Sequence, residues 1–121
     1  MPNEQSLFAE LANETARTQE LVLKRELRGL DEKQVKEFVC LVKWMCVDLW
    51  ENAVVAEDAV AEAELALSVM TTDHIVSASA VEGCRILCGQ AHDALLVARR
   101  QVKKANAFYR VVRLVGRTTD L

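Results

Sequence analysis

Stepping alternately by four and three residues from Val35 lands on Val35, Val39, Val42, Cys46, Leu49, Ala53, Ala56, Val60, Ala63, Leu67 and Met70, and every one is apolar. A second unbroken run passes through Val81, Cys84, Cys88, Ala91, Leu95, Ala98, Val102, Ala105, Tyr109 and Val112. A helix turns once per 3.6 residues, so this alternation draws one continuous seam along its side. In a chain that is 51% apolar, composition alone does not sustain runs of this length. Two long amphipathic helices are the reading that explains both.

The two seams also match each other. Folding the chain at Thr71-Thr72-Asp73 makes antiparallel partners share a residue-number sum near 144. That register sets Ala53 against Ala91, Val60 against Cys84, Leu49 against Leu95 and Cys46 against Ala98. It clusters small side chains at Ala53, Ala56, Cys88 and Ala91, where two backbones can approach closely. It also brings Glu57 to face Arg85 across the flank. The expected fold is therefore all-α: a long antiparallel helical hairpin over about 32–70 and 73–115, of coiled-coil character.

Residues 4 to about 28 read as a shorter, weakly amphipathic helix. Its stripe of Phe8, Leu11, Ala12, Ala16, Leu23, Leu27 and Leu30 is interrupted by Asn13, Thr15 and Thr18. Gly29 suits the left-handed residue that ends a helix. Asp31, followed by Gln34, has the form of a capping box that starts the next one. The short link makes the first two helices antiparallel neighbours. Gly116 reads as the stop of the last helix. Phe38, Leu41 and Met45, with Phe108, Val111 and Val115, offer the apolar surface on which the N-terminal helix packs at the open end of the hairpin. The result is a three-helix bundle in one domain, 1–121. Gly83 and Gly89, with Ser77 and Ser79, allow an alternative four-helix bundle broken near 77–83.

The N-terminal helix is too short to cover the whole hairpin. Its far end is expected to be a two-helix arm with Val55, Ala59, Ala66, Ala80 and Leu87 uncovered, a strip of the kind that marks an interaction surface. Trp44 falls on the outer face of its helix, where an exposed indole marks a contact site. Trp50 falls on the seam flank and reads as core.

Charge is polarised along the chain. Residues 44–84 hold eight acidic and no basic side chains, whereas 85–121 hold eight basic against two acidic, within a net charge of −3. Arg99, Lys103, Arg110, Arg113 and Arg117 form a basic flank fit for an acidic protein, for nucleic acid or for an anionic membrane.

No stretch carries catalytic chemistry. There is no glycine-rich phosphate loop, no Gly-x-Ser-x-Gly elbow and no His-Glu-x-x-His. The two histidines, His74 and His92, stand outside any local motif. Cys84, Cys88 and His92 share one helical face with Glu57 near, but ligands at i and i+8 are about 12 Å apart along the axis, too far for one zinc ion. The expectation is core thiols with His92 packed near Trp50, and no metal or cofactor. Cys40, Cys46, Cys84 and Cys88 are too far apart in this register to bridge, so free thiols and a reducing, intracellular compartment are expected. No apolar run reaches the roughly 18 residues of a membrane span, and the N-terminus lacks the pattern of a leader. Thr119-Asp120-Leu121 has the form of a carboxyl-terminal ligand for PDZ modules.

The functional expectation is a non-catalytic interaction or structural subunit with no small-molecule substrate. Its partner would be another helical protein or a second copy of itself, met through the acidic arm and the basic end. The alternative is a binder of nucleic acid or anionic membrane through residues 99–117.

Overall fold

The computed structural model describes residues 3–73 and 75–119. Its elements are α1 (Glu4–Leu11), α2 (Ala16–Leu27), α3 (Glu32–Thr72) and α4 (Ala78–Thr119). This is an all-α bundle in which the two long helices pack against each other and shorter N-terminal helices join them. The chain divides into two compact units: Met1–Leu49 with Gln101–Leu121, and Trp50–Arg100.

Local chemistry sets the helix ends. Asn3 caps α1 by accepting from the backbone N–H groups of Gln5 and Ser6. The N-terminal helix, expected to be continuous, is broken between Leu11 and Ala16. Thr15 Oγ1 accepts the Thr18 N–H at 3.3 Å and begins α2 as a new helix. Short polar side chains such as Asn13 and Thr15 compete for backbone partners, which is why they suit caps better than helix interiors. The break leaves carbonyls at the end of α1 to satisfy. Leu11 accepts from the Glu14 N–H at 2.9 Å and from Gln19 Nε2 at 3.0 Å. Gln19 is buried, and its amide closes the helix end it faces.

The next junction follows the sequence closely. Gly29 has φ of +88°, the left-handed value that a side chain would resist. Asp31 Oδ1 accepts the Gln34 N–H at 2.8 Å, and Gln34 Oε1 accepts the Asp31 N–H at 3.1 Å, closing the reciprocal cap.

The turn between the long helices lies later than expected. Thr71 and Thr72 are the last residues of α3, and their hydroxyls donate to the Ser68 and Val69 carbonyls. Asp73 Oδ1 accepts the Ile75 N–H at 2.9 Å, and Ser77 Oγ accepts the Ala80 N–H at 3.2 Å as the cap of α4. Helix α4 is continuous through Gly83 and Gly89, so the alternative break within 77–83 reduces to the turn and its cap. It also runs past Gly116, which serves close packing rather than termination. A Cβ built there would stand 3.1 Å from Val39 Cγ2 and 3.6 Å from Val35 Cγ1.

In the first unit α1 and α2 pack on α3 and α4 around one core. Phe38, Val42, Ala105, Phe108, Val112 and Val115 are buried together with Leu7, Leu11, Leu23 and Leu27. Phe8 tilts against Phe108, with ring centroids 5.7 Å apart and planes inclined at 57°, within the separation at which aromatic pairs attract. Lys104 Nζ donates to Asn13 Oδ1 at 2.6 Å. Leu41, offered by the sequence as part of this contact, remains 41% exposed.

The register is one heptad away from the expected one. In the first unit Cys46 Sγ donates to the Ala105 carbonyl at 3.3 Å, a sum of 151, and Gly116 lies between Val35 and Val39, sums of 151 and 155, so the register is near 151 in place of 144. In the second unit Glu57 lies 4.0 Å from Arg99, and His92 Nε2 is 2.7 Å from Glu64 Oε1. Those sums are 156, a few residues above 151, because long helical side chains lean toward their own N-termini and meet short of their backbone level. Glu57 therefore does not face Arg85, which pairs with Glu82 on its own helix at 2.9 Å. The physical reason is that a heptad seam looks the same after a shift of seven. Seam meets seam at 144 and at 151 alike, and only the turn, centred on Ile75 rather than Thr72, separates the two.

Candidate surfaces on the two units

The heptad can be written a to g with Val60 and Cys88 at a. In the second unit the covered residues of α3 are Ala53, Ala56, Val60, Ala63, Leu67 and Met70, and those of α4 are Val81, Cys84, Cys88, Ala91, Leu95 and Ala98. These are the a and d positions alone. Every other described residue of the two helical stretches, 50–72 and 78–100, is exposed. A surface helix in a globular domain normally buries a third position as well, giving a stripe at least about 100° wide. Two helices touching only along a and d leave their neighbouring positions bare.

The two bare flanks differ in kind. On the e side Glu57 meets Arg99, and Glu64 meets His92. On the g and c side lie Val55, Ala59 and Ala66 of α3, with Ala80, Gly83, Leu87, Gln90, Ala94 and Val97 of α4. Val55 is 67% exposed and Leu87 63%. No g or c position of α4 from 78 to 100 is charged. Glu62 at c, with Glu51 and Asp58 at f behind it, makes the outer border on α3 acidic. In the first unit the corresponding g positions, Phe38, Met45, Phe108 and Val115, are buried.

Two placements differ from the sequence expectation. Trp50 is 58% exposed and does not join a core. His92 is exposed and bonded to Glu64 rather than packed beside Trp50. Position e faces the flank of a two-helix seam, and a third layer would be needed to bury either residue. Trp44, at f, is 60% exposed in the first unit, and neither α1 nor α2 covers it.

The basic residues divide between the units. Arg110, Arg113, Leu114 and Arg117 line one shallow surface of the first unit, and Arg113 and Arg117 also border a depression floored by Val35, Val39 and Gly116. The Arg113 guanidinium sits 5.7 Å from the centre of the Tyr109 ring. Lys103 is exposed on the same unit. Arg99 belongs to the other unit, beside Glu57.

All four cysteines are free. Cys46 and Cys88 are buried, Cys84 is partly covered and Cys40 is exposed. Burial pushes the Cys46 thiol above its ordinary value, because a thiolate would lose its hydration there. Among the described residues no group of three or more His, Cys, Asp or Glu side chains comes together to hold a metal ion, and no helix is long and apolar enough to cross a membrane. His74 lies outside the described residues, as do the side chain of Thr119 and residues 120–121, where the carboxyl-terminal ligand motif falls.

Compared with family models, with curated proteins and with solved structures, the chain has no match.

Proposed function

We propose that this chain is a non-catalytic helical interaction or structural subunit, working through helix-on-helix contacts in a reducing compartment. The single observation that carries the reading is the seam-only burial of residues 50–72 and 78–100. Val55, Ala59, Ala66 and Leu87 stand in water on a face whose g positions Phe38, Met45, Phe108 and Val115 are buried in the other unit. Exposed apolar surface of this kind is costly to keep unless something binds it. Trp44 is a further contact residue on the first unit, since a large exposed indole yields much binding energy when it is desolvated. Four free thiols support the compartment.

The test is a photo-crosslinking residue placed in the full chain, in cells, at Ala59 or Leu87, with Asp93 as the outward control. Adducts at 59 and 87 but not at 93 are expected. A chain that stays uncrosslinked at 59 and 87, and monomeric by solution mass, would sink the proposal.

A second reading rests on a separate observation, the shared exposed surface of Arg110, Arg113 and Arg117. With Lys103, on the same unit, they would bind nucleic acid or an anionic membrane. Such binding would collapse between about 50 and 200 mM salt and vanish on reversing the three arginines to glutamate.

A further inference from the structure

We infer that the occupant of the bare g and c face is a single amphipathic helix of another protein, with lysine or arginine along one of its flanks. This rests on the helix-docking function proposed above and adds the chemistry of the partner. The argument is one of charge placement. Residues 50–100 hold eight acidic against three basic side chains, a net charge of −5. Two of the three basic residues are engaged on the opposite flank or along their own helix: Arg99 beside Glu57, and Arg85 with Glu82. The third, Arg100, is at f on α4. The acidic border formed by Glu51, Asp58 and Glu62 therefore has no cation of its own unit at a g or c position.

A helix lying in the groove between α3 and α4 would have that border on one side only. On the other side it would meet Gly83, Gln90 and Val97, which are uncharged. Its own flanks should match this asymmetry, with cations toward α3 and uncharged residues toward α4. Its apolar stripe would rest on Ala59, Ala66, Ala80 and Ala94, whose small side chains let a backbone come close, with Leu87 as the one large knob. The helical stretch on α3 from 50 to 72 offers room for a partner helix of about 20 residues, roughly 30 Å.

A second copy of this chain fits less well. An isologous pairing through the same face would bring two units of net charge −5 together. Neither would present a lysine or arginine at g or c to the other's acidic border. Like charges across an interface select against a partner as strongly as unlike charges select for one.

The test uses the full chain and two synthetic helical peptides of about 21 residues, a length of about 30 Å. Both carry leucine at alternating three- and four-residue steps. One has lysine on a single flank, and the other has glutamate at those same places. Titration calorimetry against each is expected to give one-to-one binding of the lysine peptide and at least about a tenfold preference for it. Ala66→Arg, with its helix content checked by circular dichroism, should abolish that binding. The double variant Asp58→Lys with Glu62→Lys should reverse the preference toward the glutamate peptide. Equal binding of the two peptides would overturn this inference while leaving the helix-docking function in place. So would a dimer of the chain alone that Ala66→Arg dissolves, because the occupant would then be a second copy. A monomer that binds neither peptide would overturn both.

Discussion

Three glycines of α4 provide a quantitative check on the packing. A Cβ added at Gly83 or Gly89 meets nothing within 4 Å, so alanine at either place changes only backbone entropy and solvation. Alanine is about 1 kcal/mol better than glycine in a helix interior. The two sites are six residues apart, about 9 Å along the axis, so their gains should add to roughly 2 kcal/mol. For a chain of this length that is a rise of roughly 4 °C in Tm per kcal/mol. Gly116 begins from the same gain but loses it. Its Cβ would stand 3.1 Å from Val39 Cγ2, inside the optimum carbon contact. Overpacking of a filled site costs about 1–3 kcal/mol, so Gly116→Ala should fall between neutral and about 2 kcal/mol destabilising. Removing the obstacle with Val39→Ala should restore the helical gain at 116, a coupling that a double-mutant cycle in urea measures directly. If Gly116→Ala alone stabilises as much as Gly89→Ala, α3 and α4 do not approach there and the register summing to 151 is wrong. If Gly83→Ala and Gly89→Ala bring no gain, α4 is not the continuous helix described.

Gln19→Leu removes a buried donor and leaves the Leu11 carbonyl with one partner fewer, so a loss of about 1–3 kcal/mol is expected by chemical denaturation; a neutral result would show that the amide does not close α1. Phe108→Ala, at a fully buried site against Phe8, should cost about 3–5 kcal/mol and uncouple α1 from the long helices in near-ultraviolet dichroism. Alkylation of the native chain should modify Cys40 fastest and Cys46 slowest, read by mass spectrometry over time; equal rates would contradict the burial of Cys46. The raised Cys46 value also has a consequence for stability. The unfolded thiol ionises near its ordinary value of 9.0, whereas burial holds the folded one protonated to higher pH. The unfolded state then binds fewer protons, so the contribution is intact below pH 9 and is lost as pH rises toward the folded value. A Cys46→Ser chain should lack that alkaline decline.

Much of this architecture is legible without coordinates, and the reasons for the rest are specific. The a and d seams were readable because burial at those positions needs only the 3.6-residue turn and one apolar neighbour. Gly29 and the Asp31–Gln34 cap were readable because a left-handed residue and a reciprocal cap each demand particular side chains. The register was not, since a heptad pattern carries no information about which heptad faces which. The interval 71–77 offered capping residues at both ends, and Ser77, read as part of a possible break, turned out to hold the cap. The split between α1 and α2 left a trace in Asn13 and Thr15, but recognising it required pairing Thr15 with the Thr18 amide. Trp50 and His92 read as inside because they lie beside the seam. Their heptad position, e, was the better guide, because a two-helix unit has no third layer to bury it. The partner surface was read as residues beside the seam, and Val55, Ala59, Ala66 and Leu87 are all exposed. Arg99 reads with the basic flank by its side of the helix, and the fold sets it beside Glu57.

The eight-residue helix α1 has a thermodynamic consequence of its own. Isolated helices shorter than about 12–15 residues are marginal in water, so α1 exists only while Leu7, Phe8 and Leu11 remain docked and Gln19 holds its last turn. It has no independent reserve, and it should open as a single cooperative step well below the free energy of global unfolding. Its amides would then exchange with solvent together, ahead of those of α2. The bared ring of Phe108 would briefly offer the first unit an apolar face of its own. The same molecule would thus carry one such face permanently, on the second unit, and another that appears only when a short helix lets go.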